Sequence, residues 1–109
     1  MKSSRAIDKQ LLTLIAKTKK LAVNTGKEDT QELRKVLIAD LQEMFHIAKK
    51  NAVTAENSTD SQQWMRIAGY IGQVINSHVK CFDETKALKQ IENIEKMINE
   101  TEHKSGSET

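Results

Sequence analysis

The chain has 109 residues, enough for one domain that buries its own core without staples. Hydrophobic residues make up 38%, charged residues 29%, and the formal net charge is +2, which excludes a disordered or strongly polyionic protein. Proline is absent, glycine occurs four times, and the single cysteine, Cys81, excludes an internally disulfide-linked scaffold.

Lys, Glu, Leu, Ala, Gln and Met favour helix, and four segments carry apolar residues at helical spacing. The first spans Ser4–Val23, with Ile7, Leu11, Leu14, Ile15, Thr18, Leu21 and Ala22 on one stripe. Ser3 or Ser4 is its expected cap, and Gly26 suits the left-handed position after its end. The second spans Thr30–Ala55. Asp29 and Glu32 form a variant capping box, and Leu33, Val36, Leu37, Leu41, Met44, Ile47 and Ala48 share a face, with Phe45 at its edge.

Residues 56–60 are polar and read as a loop. The third segment spans Ser61–Val79, capped by Thr59 or Asp60. Its stripe is Trp64, Ile67, Ala68, Ile71, Val74, Ile75 and Val79. The fourth spans Glu84–Glu102, capped by Asp83, with Ala87, Leu88, Ile91, Ile94, Met97 and Ile98 inward. Each helix is too short to persist alone in water, so the apolar faces must meet. The expected fold is all-α: an antiparallel up-down four-helix bundle over 1–102, or one with the fourth helix displaced by its short junction, with a flexible polar tail at 103–109.

No segment reaches the ~18 apolar residues of a membrane span, and no signal peptide is read, so a cytoplasmic protein without membrane partners is expected. Metal ligation is not expected: there is no H-E-x-x-H and no cysteine pair. No cofactor motif and no convergent catalytic group is legible, and no enzyme activity is expected. Asp40 and His78 each fall on an apolar stripe and could form a buried polar pair.

Charge is uneven along the chain. Residues 1–27 hold seven basic side chains and one acid, whereas residues 83–109 hold four basic and seven acidic ones. The plainest account is that the first and last helices are neighbours and screen each other. The functional alternative is an accessory nucleic-acid-binding surface on the first helix, with Lys9, Lys17, Lys19 and Lys20 contacting phosphates without reading sequence.

Two glycines in one helix point to close approach by another helix, inside the bundle or from a partner. Trp64, Met65, Gly69, Tyr70 and Gly72 are therefore the candidate partner interface. The leading expectation is a helical protein–protein interaction module: an adaptor, a regulatory subunit or a homo-oligomer.

The run Phe45-His46-Ile47-Ala48-Lys49-Lys50 resembles the histidine-bearing helix of histidine phosphotransfer domains. Those usually show His-x-Leu-Lys-Gly; here Ala48 stands for the leucine and Lys50 for the glycine. The resemblance covers about five residues, does not assign the chain to that family, and would imply an exposed phosphate-accepting imidazole at His46.

Overall fold

The computed structural model describes the backbone of residues 2–23 and 30–107, and side chains over 9–21, 31–83 and 85–101. Its elements are α1 (Lys2–Val23), α2 (Thr30–Thr54), α3 (Ser58–Lys80) and α4 (Glu84–Ser107), with no strand among the described residues. Gly26 and Asp29 lie outside those residues, and so does the capping role assigned to each.

The four helices close a ring: α1 packs on α2 and α4, and α3 packs on α2 and α4. The α2–α3 contact is the most extensive and the α3–α4 contact the least. α4 is therefore seated between α3 and α1 rather than displaced. Arg34 Nη2 donates to the Val79 carbonyl at 2.6 Å, and Ser61 Oγ donates to the Ala52 carbonyl at 2.8 Å. The two bonds are equally many residues apart on α2 and on α3, in opposite order, so these helices run antiparallel. Contacts from His78 to Gln90 and from Asn93 to Tyr70 run backward along α3 and forward along α4, which makes that pair antiparallel too.

The predicted stripes meet in one core. Leu11, Ile15, Leu41, Met44, Ile71, Ile91, Ile94 and Ile98 are completely buried. Each buried Leu or Ile contributes about 1.5–3 kcal/mol relative to exposure, and the sum holds together helices that could not stand singly.

Local chemistry moves several boundaries. α1 already begins at Lys2, so Ser3 and Ser4 lie inside it and do not cap it. α3 starts earlier than expected because Asn57, not Thr59 or Asp60, is its cap: Asn57 Oδ1 accepts from the Asp60 backbone N–H at 2.8 Å. Asp83 caps α4 as expected, its Oδ1 accepting from the N–H groups of Thr85 and Lys86 at 3.0 and 3.2 Å. α4 continues beyond Glu102 to Ser107, into the stretch read as a tail, where no proline interrupts it. Val79, expected inward, is 50% exposed, whereas His78 is 1% exposed. The inward row Trp64-Ile67-Ile71-Val74 continues to 78, not 79, at helical spacing.

Candidate functional site

The two buried polar side chains that could have paired do not. The Thr18 hydroxyl lies 3.2 Å from Asp40 Oδ2 and 2.7 Å from the Leu14 carbonyl, so its single proton sits between two acceptors. Asp40, 7% exposed, thus serves the α1–α2 contact, with Lys17 Nζ at 4.0 Å. His78 turns to the other side of the bundle. Its Nε2 lies 2.8 Å from Gln90 Oε1 on α4, its ring is tilted against Phe82 at 5.3 Å, and Nδ1 has no hydrogen-bond partner. Burial pushes its pKa below the ordinary 6.5; the Gln90 hydrogen bond and the Asp83 charge pull upward without cancelling that.

The basic residues of α1 divide into two groups. Lys19 Nζ donates to Glu95 Oε1 at 2.9 Å, and this hydrogen bond, with the Glu95 charge, raises the lysine pKa above 10.5. That bond and the α1–α4 packing place the basic helix beside the acidic one. Lys9, Lys17 and Lys20 remain exposed. Of the four predicted phosphate contacts, Lys19 is engaged within the fold and Lys17 is near a carboxylate.

The five predicted interface residues do not share one environment. Trp64 is 6% exposed and belongs to the core. Tyr70 is half-buried, its hydroxyl accepting from Asn93 Nδ2 at 3.1 Å. Gly72 faces α2, where an added Cβ would meet Phe45 Cε1 at an ordinary 3.7 Å. Alanine would fit there; a longer side chain would have to displace the ring. Met65 is 55% exposed, and a Cβ at Gly69 would meet nothing within 4 Å. Met65 and Gly69 therefore define an outward face of α3, together with Gln62, Arg66, Gln73 and Asn76, which are also exposed. Between Asp60 and Lys80 the only formally charged side chain is Arg66. Gln62, Arg66 and Gln73 of this face were not singled out from the sequence, although the scarcity of charge from Ser61 to Val79 was visible there. By contrast, the exposed residues of α2 include Glu32, Lys35, Glu43, Lys49 and Lys50.

His46 is exposed on α2, edge-on to Phe45, with Lys49 Nζ 6.0 Å from the same ring. Cys81 is exposed at the C-cap of α3. Among the described residues no three His, Cys, Asp or Glu side chains converge to hold a metal ion, and no helix is long and apolar enough to cross a membrane.

The fold defines an all-helical protein with four helices packed as a bundle. No family model matches the chain, and neither a curated protein nor a solved structure shows significant similarity to it.

Proposed function

We propose that this chain is a small, non-catalytic protein–protein interaction module that docks through the outward face of α3, and that a second copy of the same chain is its occupant. The observation that carries the reading is the scarcity of charge on that face, with Arg66 alone, around an open glycine. Interface centres are depleted in charge, and a glycine lets two helices approach closely.

A second copy fits because the face is self-complementary. In an antiparallel crossing at Gly69, Gln62 comes opposite Asn76 and Met65 opposite Gln73. The two Arg66 side chains lie on either side of the crossing, so the one charge in the row does not meet itself. Sedimentation equilibrium tests this. The expected result is a mass that rises from one chain to two with concentration, and stays at one in Gly69→Leu while helicity and melting remain cooperative. A wild-type mass that stays at one chain up to about 1 mM, an association weaker than about 4 kcal/mol, overturns it.

A second reading rests on Lys9, Lys17 and Lys20, which are exposed along α1. These would give weak, sequence-independent phosphate binding. Anisotropy with labelled single- and double-stranded nucleic acid decides it. Binding that falls with salt and is lost in Lys17→Glu/Lys20→Glu supports this reading, and no binding at low salt removes it.

A further inference from the structure

The α3–α4 junction is held in an unusual way. It is the least extensive helix contact in the ring, and its connection is only residues 81–83. At its centre is an imidazole, 1% exposed, with one nitrogen on Gln90 of α4 and the other without a partner. Phe82, from the connection itself, closes over the ring.

We propose that His78 is an acid-sensitive latch: taking up a proton at Nδ1 releases the last turn of α3 and the 81–83 connection from α4, while the α2–α3 pair stays together.

The proton balance is simple. With Nε2–H donating to Gln90 Oε1, the neutral ring needs only an acceptor on that side. Nδ1 then holds a lone pair in apolar surroundings, at a modest cost. A second proton, taken from solvent, creates a buried cation with an N–H that has nothing to donate to, which costs far more. The cation is relieved by letting water reach Nδ1, and the ring sits where the packing is thinnest.

The charges around the ring do not remove this penalty. α3 packs only on α2 and α4 as principal neighbours. From α2, Arg34 is committed to the neighbouring Val79 carbonyl. From α4 comes Gln90, which is neutral. Asp83, in the connection, favours the cation, but its Oδ1 already accepts two α4 N–H groups. The carbonyl end of α3 favours the cation as well. Burial opposes the cation and is a larger influence than the Gln90 hydrogen bond or the Asp83 charge.

The α2–α3 pair has reason to survive. Its contact is the most extensive in the bundle, and the Arg34–Val79 and Ser61–Ala52 bonds hold its two ends without using His78.

Amide hydrogen exchange on the full chain, from pH 7.5 to 5.5 and corrected for intrinsic exchange, tests the latch. The opening constant at residues 77–90 is expected to rise by up to about tenfold per pH unit below 6.5, until the native-state pKa is reached. Protection at Leu37, Leu41 and Met44 of α2 should hold. His78→Leu should abolish the rise at the junction, and His46→Gln, at an exposed position, should leave it in place.

If His78→Leu does not fold, the ring proton of His78 followed by NMR in the wild type reads the same event. Its titration should coincide with the loss of junction protection. Junction protection independent of pH, a rise that persists in His78→Leu, or opening spread equally over α2 would each overturn the proposal.

Discussion

Gly69→Ala reads the state of the α3 face in the free chain. Gly69 lies inside α3 with ordinary helical backbone, and an added Cβ meets nothing within 4 Å. Neither a clash nor a packing gain is therefore available. What remains is the intrinsic difference between glycine and alanine in a helix interior, about 0.8–1.0 kcal/mol in favour of alanine. For a domain of this size that is a rise in Tm of about 3–5 °C. Urea and thermal unfolding by circular dichroism, at a concentration where the chain is single, measure it. A loss of stability in dilute solution would refute the reasoning, because it would mean that Gly69 is covered within the bundle. At concentrations where copies pair, part of the gain should disappear, since the new methyl group stands at the proposed crossing.

Other expectations follow from the buried groups. Thr18→Val removes the hydroxyl that partners buried Asp40 and should cost about 1–3 kcal/mol in urea unfolding. Leu41→Ala empties a completely buried position and should cost about 2–5 kcal/mol by the same measurement. Lys19→Glu should lower the melting temperature at low salt, and adding Glu95→Lys should restore much of it, because the pair is rebuilt with its charges exchanged. The His78 pKa is lower in the native chain than the unfolded value of 6.5. Its contribution to stability is therefore complete above pH 6.5 and is lost as pH falls toward the native value. Urea midpoints at pH 7.5 and 5.5 should differ more for the wild type than for His78→Leu.

Helical periodicity made most of the fold legible. The stripes through Leu11-Leu14-Ile15-Thr18, Leu37-Leu41-Met44-Ala48 and Ile91-Ile94-Ile98 are buried as their spacing requires. The start of α3 was not legible, because Asn57, Ser58, Thr59 and Asp60 are all competent caps and only the backbone path selects among them. Val79 was misplaced because hydrophobicity outweighed angle at the end of the stripe; the position that turns inward carries His78. Asp40 and His78 were each placed on the right face, yet spacing within a helix says nothing of which neighbour it meets. The partners, Thr18 and Gln90, come from different helices and opposite sides of the bundle. The candidate interface shifted for the same reason. The aromatic anchor Trp64 was taken by the core, which left Met65, Gly69 and the uncharged polar row around them.

The most direct test of the α3 docking face is a dilution series of amide NMR spectra on the uniformly labelled chain. The account predicts concentration-dependent shifts confined to the face of α3 that carries Gln62, Met65, Arg66, Gly69, Gln73 and Asn76, with α1 unmoved. Shifts centred instead on Lys9, Lys17 and Lys20, or spectra that do not change with concentration, would contradict it.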